Sequence, residues 1–322
     1  MIFTMSLKKI IKTIKDHDRF VISTHVNPDP DALCSELALA EFLRKMGKTV
    51  FIVNSERVPK RYDYLPGVKS VQCYKKILKL DYDVAIIVDC GELDRIGDVQ
   101  ALLRKDRILI NIDHHITNDN FGHLNLVKSD ASSTAEVLYD FFMNFRFEMT
   151  ENIAKNLYIG ILTDTGCFRY DNTTAKTHEI VSKLRAYPFD AYDLYRRLYE
   201  VIPLTDMTAL TKVFSQARLY KGGVVVVELT KDILSSFTEG FDLRDTIFKF
   251  FRSFKEAKVF AILTEVDAKR TRVNFRSSDK VNVAALAQKF GGGGHRKASG
   301  CLISGNLTKS KNKILKALQK SS

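Results

Sequence analysis

Short apolar runs alternate with stretches of helical spacing along the first 130 residues. The intervening stretch ALCSELALAEFLRKMG at 32–47 predicts a helix that ends at a glycine, and VQALLRK at 99–105 predicts another. Buried β-runs separated by helices are typical of a parallel sheet, so we expect an α/β fold for this part. The β-rich runs are RFVIST, TVFIVN, VAIIVD and RILINID.

The C-terminal third follows a different pattern, in which strand candidates come one after another. Residues 132–187 look mostly helical before it, and further helix-like pieces follow Tyr187-Pro188. We therefore expect a first domain at 1–187, a helical linker at 188–212 and a smaller α/β domain at 213–322. Its strand candidates are ARLY, GVVVVEL, AKVFAILTEV, RTRVNFRS and ASGCLIS, with helices at VNVAALAQKF and at the C-terminus.

Composition and cysteine usage narrow the class of protein. The 322 residues are 45% hydrophobic and 27% charged, as in a soluble globular protein with two cores. The five cysteines lie far apart without a C-x-x-C pair, which argues against disulfides and a thiolate zinc site and favours a cytoplasmic location. No apolar run is long enough to span a bilayer and the N-terminus lacks a signal-peptide pattern, so we expect no membrane partner.

The net charge of +12 is concentrated near the C-terminus. Residues 221–322 contain 20 Lys and Arg against 9 Asp and Glu. An acid-bearing first part and a basic second part predict a catalytic domain joined to a module that binds a polyanion. For the lysines of the terminal KSKNKILKALQK, a solvated helix face is the simpler interpretation.

Acids and histidines occur at what the pattern predicts to be strand ends. The carboxyl ends of parallel strands meet at one edge of a sheet, where ligands collect. Carboxylates mixed with imidazoles suit a pair of divalent ions, first of all Mn²⁺, so the pattern predicts a two-metal hydrolase. The residues are His25, Asp29, Asp31, Asp89, Asp113, His114, His115 and Asp164.

Each of these motifs has a structural alternative when it is considered alone. HVNPDPDA is also a common composition for a turn, and Asp89 could cap a helix that begins near Gly91. In Asp113-His114-His115 an acid stands beside two imidazoles, so one histidine could bind metal while the next faces substrate. Their combination at three predicted strand ends favours the metal site.

A glycine run with cations lies in the second domain. Gly291 to Gly294 leave backbone N–H groups accessible to phosphate, and the following His-Arg-Lys adds donors, which predicts an anion-binding loop. Without those cations a flexible turn would be the preferred interpretation. Arg272 and Arg276 alternate along the predicted strand RTRVNFRS and could serve the same cleft, whereas Phe275 would face away.

These motifs together resemble the DHH/DHHA1 phosphoesterases, and most closely their nanoRNase/pAp phosphatase branch. The motifs are HxxPDxDA, VDC, DHH, TDTG and GGGGHRKASG in this order, and the resemblance covers nearly the whole chain. It implies an N-terminal parallel-sheet DHH domain and a smaller α/β DHHA1 domain, with an active-site cleft between them. Family members can form dimers through DHHA1 domains, so a homodimer is compatible with it.

The resemblance also implies roles for individual residues. Two divalent ions would be held, with Mn²⁺ expected and Mg²⁺ or Co²⁺ as alternatives: the first by His25, Asp29 and Asp89, the second by Asp31, Asp89, His114 and Asp164. His115 would contact or protonate the substrate, with Asp113 behind the histidines. The substrate-binding residues would be Arg276, Ser277, Gly292, Gly293, Gly294, His295 and Arg296, with Ser299 as a further candidate.

The expected activity follows from the same resemblance. A Mn²⁺-dependent enzyme would degrade short single-stranded RNA to mononucleotides and remove the 3′-phosphate of 3′-phosphoadenosine 5′-phosphate (pAp). Hydrolysis of cyclic or linear dinucleotides is the alternative within the family. Outside the enzymes, the chain could be a nucleic-acid-binding protein with a vestigial site, although every matching ligand position is filled here.

Overall fold

The computed structural model of the chain consists of two compact units, Met1–Tyr195 and Arg196–Ser322. The residues described are 2–76, 79–145, 147–238, 241, 243–251, 253–277 and 281–319. The predicted linker at 188–212 spans the division between the units. Each unit has its own sheet.

The first unit contains a six-stranded, all-parallel sheet with the order β3-β2-β1-β4-β5-β6. The expected parallel α/β architecture is therefore confirmed. The short β3 and β6 were not predicted from the sequence. The strands are β1 (Arg19–Ser23), β2 (Thr49–Asn54), β3 (Val71–Cys73), β4 (Val84–Val88), β5 (Ile108–Asp113) and β6 (Leu124–Val127).

Helices of the first unit pack against this sheet and against one another. Helix α2 begins with Asp29 as its N-cap and Pro30 in its first turn, and most of its length is buried. Phe42 of α2 stacks on Phe142 of α3 with ring centroids 4.4 Å apart. The helices are α1 (Ile2–Asp16), α2 (Pro30–Lys45), α3 (Thr134–Met143), α4 (Glu151–Asp164) and α5 (Ala175–Leu184), while α6 (Ala191–Tyr199) includes the division between the units.

The predicted helix at 99–105 is wrong. The chain instead forms 3-10 turns over Leu93–Leu102, interrupted at Gly97, whose φ is 63°, and Leu103 is already extended. Because Gly97 takes a left-handed conformation, a continuous α-helix cannot form there. Two shorter 3-10 turns lie at Lys60–Tyr62 and Val68–Ser70.

The second unit contains a mixed six-stranded sheet with the order β11-β12-β10-β9-β8-β7. The five predicted strands are all present, but the helices between β8 and β9 were missed. Strands β8 and β9 are parallel, and a parallel pair needs a crossover connection, which α8 and α9 form. The elements are α7 (Leu204–Ser215), β7 (Arg218–Tyr220), β8 (Val224–Leu229), α8 (Lys231–Ser235), α9 (Leu243–Phe251), β9 (Val259–Asp267), β10 (Arg270–Ser277), α10 (Val283–Gln288), β11 (Gly293–His295), β12 (Ala298–Ser304) and α11 (Leu307–Gln319).

Helices cover the two faces of this second sheet unequally. Helices α10 and α11 pack over Val273 and Phe275 on one face. On the other face, α7 and α9 pack over Val225 and Phe260 of β8 and β9. None of the described helices is long and apolar enough to cross a membrane.

Candidate active site

The central pair of strands in the first sheet positions the candidate site. Strands β1 and β4 are neighbours, yet the chain leaves β1 towards β2 on one side and resumes at β4 on the other. Such a reversal of strand order opens a crevice at the carboxyl ends of the two strands, where ligands bind in α/β proteins. His25 is the second residue after β1, and Asp89 is the first residue after β4.

A first cluster joins His25, Asp29 and Asp89, with one ligand atom from each within 4.8 Å of the others. The Nδ1–H of His25 donates to the carbonyl of Val26 at 2.8 Å, which leaves the Nε2 lone pair available. That Nε2 lies 3.7 Å from Asp89 Oδ2. This geometry leaves room for a cation between imidazole and carboxylate.

A second cluster joins Asp31, His114 and Asp164 within the same 4.8 Å. His114 Nε2 lies 3.4 Å from Asp164 Oδ2 and 3.7 Å from Asp89 Oδ1, so Asp89 stands between the two clusters. The expectation that Asp164 ends a strand is wrong, because it is the last residue of helix α4. Packing of a helix end, and not a strand end, brings this carboxylate to the site.

The N-terminus of helix α3 holds two of these carboxylates. The backbone N–H groups of Thr134 and Ala135 donate to Asp31 at 2.8 and 3.1 Å. The Thr134 hydroxyl donates to Asp89 Oδ1 at 2.8 Å. Thr134 lies outside the motifs that predict the site from the sequence, although the pattern Ser133-x-x-Glu136 is a recognisable helix-start signal.

Asp89 itself adopts a left-handed backbone conformation, with φ of 52°. Such a conformation is uncommon for residues other than glycine and often marks a functional site. The alternative in which Asp89 caps a following helix is excluded, because the 3-10 turn begins only at Leu93 and has no side-chain cap. The carboxylate accepts from Thr134 instead.

Charge crowding shifts the pKa values of the buried acids in opposite directions. Burial, and then the negative charges of Asp89 and Asp164, raise the pKa of Asp31 well above its usual range. Burial likewise raises the pKa of Asp164 to about 7. Burial also acts to raise the pKa of Asp89, but the nearby imidazole of His25 and the charges of His114 and His115 outweigh it, and this pKa falls to about 2.

Four acids held this close together repel one another unless cations neutralise them. Aspartate oxygens and two imidazole nitrogens are donors that divalent metal ions accept. The residues present therefore fit a divalent metal site.

His115 is arranged differently from the other two histidines. Its Nδ1–H donates to Asp113 Oδ1 at 2.7 Å, and this hydrogen bond raises the pKa of His115 to about 9. Asn118, which the sequence analysis missed, donates to Asp113 Oδ2 at 2.5 Å and to the side-chain oxygen of Asn111 at 2.8 Å. This chain of contacts orients His115 and leaves its Nε2 for another partner.

The glycine run of the second unit differs from the expected anion-binding loop. The amides of Gly291 and Gly292 already donate to the carbonyls of Gln288 and Ala287. Gly293 and Gly294 belong to strand β11 and pair with β12. The first two amides are therefore not accessible to phosphate in this conformation, contrary to the expectation.

Steric packing explains why two positions of the glycine run accept no side chain. A Cβ at Gly292 would lie 2.2 Å from the carbonyl oxygen of Gly300, and one at Gly294 would lie 2.6 Å from that of Ala298. Gly293 would meet nothing within 4 Å. Gly291 also meets nothing within 4 Å, but its φ of 72° disfavours a side chain, so Gly293 is the position of the run that accepts one without strain.

The structure places the other predicted substrate residues around β10 and β12. The guanidinium of Arg276 lies over the Phe248 ring, 4.8 Å from its centroid, and Ser277 pairs with Val259. The Ser299 hydroxyl is buried and donates to Val283 O at 2.6 Å, which gives it a structural partner. Arg296 lies in the turn between β11 and β12, and the side chain of His295 is outside the described part of the chain.

A sheet reversal with clustered acids and imidazoles at its crevice is an arrangement typical of α/β enzymes that bind divalent metal ions. The DHH family, N-terminal domain, matches residues 19–161, and the DHHA1 domain matches residues 242–321. The chain belongs to the DHH/DHHA1 phosphoesterase family and is a phosphoester-hydrolysing enzyme. The resemblance stated from the motifs is confirmed.

Individual relatives match over most of their length. A Streptococcus mutans protein named "Probable bifunctional oligoribonuclease and PAP phosphatase NrnA" is 32% identical over 92% of this chain and 93% of its own length. A Bacillus subtilis protein, "Bifunctional oligoribonuclease and PAP phosphatase NrnA", is 30% identical over 92% of each chain. The crystal structure of an exopolyphosphatase-related protein from Bacteroides fragilis has a TM-score of 0.91 and 26% identity, and the match covers 98% of this chain and 96% of that one.

Proposed function

We propose that this protein hydrolyses short single-stranded RNA to mononucleotides and removes the 3′-phosphate of pAp. The names of the 30–32% identical relatives support this assignment. The single observation of the molecule that supports it best is the convergence of the two donor clusters on Asp89.

The two clusters would hold two divalent ions, with Mn²⁺ as the expected metal. His25, Asp29 and Asp89 would bind the first ion, and Asp31, Asp89, His114 and Asp164 the second. When bound, such ions neutralise charge on the phosphate oxygens and lower the pKa of water. Asp89 lies within 4 Å of a nitrogen from each of His25 and His114, which supports a role for its carboxylate at both ions.

His115 would act on the substrate. Its Nδ1–H is held by Asp113, so the ring is fixed and its Nε2 can donate a proton to a phosphate or leaving oxygen. The high pKa of about 9 keeps the imidazole protonated near neutral pH, before any metal is bound. Asp113 and Asn118 would orient the ring without contacting the substrate.

Residues of the second unit would bind the nucleotide. We assign this role to Arg276, Ser277, Gly293, Gly294, His295 and Arg296, while Gly292 and Ser299 would act by packing. Arg276 suits a phosphate because its guanidinium is stacked on Phe248 and thus partly preorganised.

Hydrolysis of four substrates by the purified protein with Mn²⁺ tests the proposal. The substrates are diadenylate, a 24-nucleotide RNA, pAp and cyclic diadenylate. We expect cleavage of diadenylate and pAp, with little cleavage of the 24-mer, and a loss of at least about 10²-fold in the Asp89→Ala variant.

Two outcomes would contradict it. Preference for cyclic diadenylate would move the protein to cyclic dinucleotide turnover while retaining the metal site. Undiminished hydrolysis by Asp89→Ala would show that the activity comes from elsewhere and that the site is vestigial. Asp94→Ala, which removes an acid from the 3-10 turn outside the clusters, is the matched control.

A further inference from the structure

One face of strands β10 and β12 carries Arg276 and, further along, a row of side chains to which the proposed terminal-nucleotide site assigns no role. Residues 272, 274 and 276 of β10 alternate with residues that are buried against α10 and α11, so they lie on the opposite face. Across the ladder Leu302 pairs with Arg272, and Gly300 pairs with Asn274. We call Arg272, Asn274, Gly300 and Leu302 the β10–β12 strip.

The side chain of Arg272 makes no stabilising polar contact among the residues described. Its side chain is exposed, and no hydrogen bond or ion pair to it is found within the described ranges. Arg270 on the same strand is also exposed, yet its Nε donates to Asp267 Oδ2 at 2.7 Å. An arginine without a carboxylate partner retains its planar set of donors for a phosphate.

The other residues of the strip place a polar and an apolar side chain next to Arg272. The Asn274 Oδ1 atom is buried and has no hydrogen-bond partner in the described part of the chain. Gly300 beside it has no side chain, and a Cβ there would come within 3.4 Å of Asn274 Nδ2. Leu302 is 47% exposed next to Arg272. The exposed Arg272 and Leu302 side by side match the phosphate and the face of an unstacked nucleotide, and the half-buried Asn274 side chain lies beside them.

We propose that the β10–β12 strip is a second nucleotide subsite, which binds a nucleotide of single-stranded RNA beyond the one bound at Arg276. This inference rests on the proposed function, from which it takes the position of the terminal nucleotide. Four residues of an antiparallel strand span about 13 Å. Neither pAp nor a dinucleotide anchored at Arg276 brings a phosphate as far as Arg272, whereas a longer strand does, so Arg272 contributes to affinity only for substrates of more than two nucleotides.

The test compares Arg272→Ala with Arg270→Ala in the full-length protein. KM is measured with Mn²⁺ for pAp, diadenylate and pentaadenylate, and the Kd of a fluorescent pentaadenylate is measured by anisotropy in EDTA. We expect Arg272→Ala to raise KM and Kd for the pentamer about fivefold. The slope of log Kd against log salt should fall by roughly 0.7, as for one lost phosphate contact with a single strand.

The control and the smaller substrates decide between a subsite and a general charge effect. We expect pAp and diadenylate to be unaffected by Arg272→Ala, and all three substrates to be unaffected by Arg270→Ala. Equal losses on all substrates, equal losses in both variants, no loss, or no binding of the pentamer by the wild-type protein would each overturn the inference. Absence of hydrolysis by the wild type would refute the proposed function alone, since the anisotropy comparison in EDTA does not depend on cleavage.

Discussion

Thr134 connects two carboxylates of the candidate metal site, those of Asp31 and Asp89. Its amide bonds Asp31 and its hydroxyl bonds Asp89, both at 2.8 Å, and the residue is fully buried. Groups that hydrogen-bond to metal ligands and so orient them affect metal affinity strongly, although they do not contact the metal. Thr134 is therefore a positioning residue.

Thr134→Val should weaken Mn²⁺ binding by about tenfold, because valine keeps the shape and the backbone N–H but lacks the hydroxyl. Titration calorimetry measures the affinity, and thermal unfolding in EDTA serves as the folding control. Thr134→Ser retains the hydroxyl and should restore most of the affinity. If the serine and valine variants lose the same affinity, the hydroxyl has no orienting role.

The sequence could indicate the ligands but not the residues that hold them. Aspartate and histidine after a strand are recognisable because few other residues bind metal there. Thr134 and Asn118 belong to residue types that are common in turns and helix starts, so nothing local distinguishes them. Their importance depends on Asp31 and Asp113 lying within hydrogen-bonding distance.

At the scale of elements, helix α2 carries a buried glutamate close in sequence to the metal-binding loop. Glu36 is fully buried, and its Oε1 accepts from Asn54 Nδ2 at 2.8 Å. Burial raises the pKa of Glu36 to about 8, so the side chain is mostly protonated at neutral pH. A folded-state pKa above the unfolded value stabilises the protein at low pH, and this stabilisation is lost as the pH rises from about 4.5 through 8.

Glu36→Gln should remove this pH dependence, since glutamine resembles the protonated glutamate in shape and stays neutral. Between pH 5 and pH 8 the free energy of unfolding of the wild type should fall by about 3 kcal/mol more than that of the variant. Urea unfolding in EDTA at several pH values measures both. Glu92→Gln, at an exposed position, should follow the wild type, and parallel curves for Glu36→Gln would show that Glu36 is ionised when folded.

The glycine run offers a matched pair of substitutions. Gly292→Ala should destabilise the second unit by about 1–3 kcal/mol, because the added Cβ would meet the Gly300 carbonyl at 2.2 Å. Gly293→Ala has open space and should leave stability within about 0.5 kcal/mol of the wild type. Chemical denaturation measures both, and equal effects would contradict a packing role for Gly292.

At the scale of the whole molecule, the candidate metal-binding residues and the proposed nucleotide-binding residues belong to different units. The acid and histidine clusters all belong to the unit Met1–Tyr195. The proposed nucleotide-binding residues and most of the excess positive charge belong to the other unit. Each unit can therefore be tested by its own ligand.

Mn²⁺ should protect the backbone amides of the first unit selectively in hydrogen exchange. A ligand that binds only the folded state stabilises it by about 2.7 kcal/mol at 100 times its Kd. We expect slower exchange at the start of α3 and the end of α4, with β9, β10 and β12 unchanged. Asp89→Asn should abolish the effect, and protection spread evenly over both units would contradict a metal site confined to the first.

The sequence by itself determined the class of the fold, five of the six strands of the second unit and the chemistry of the candidate ligands. Periodicity and donor type are local properties, so β4 followed by Asp89 and β5 ending at Asp113 are evident without coordinates. The glycine run and the excess of cations also indicate an anionic ligand. The net positive charge of this part of the chain can be counted from the sequence without knowledge of the fold.

Only the tertiary structure decided which donors meet and which amides remain available. Asp164 reaches the site from the end of a helix, and Asp31 finds its partners at Thr134 and Ala135, more than a hundred residues away. The amide of Gly292 is occupied by Ala287. Such contacts arise when elements that are distant in sequence pack together. A local sequence pattern cannot predict which distant element will pack against it.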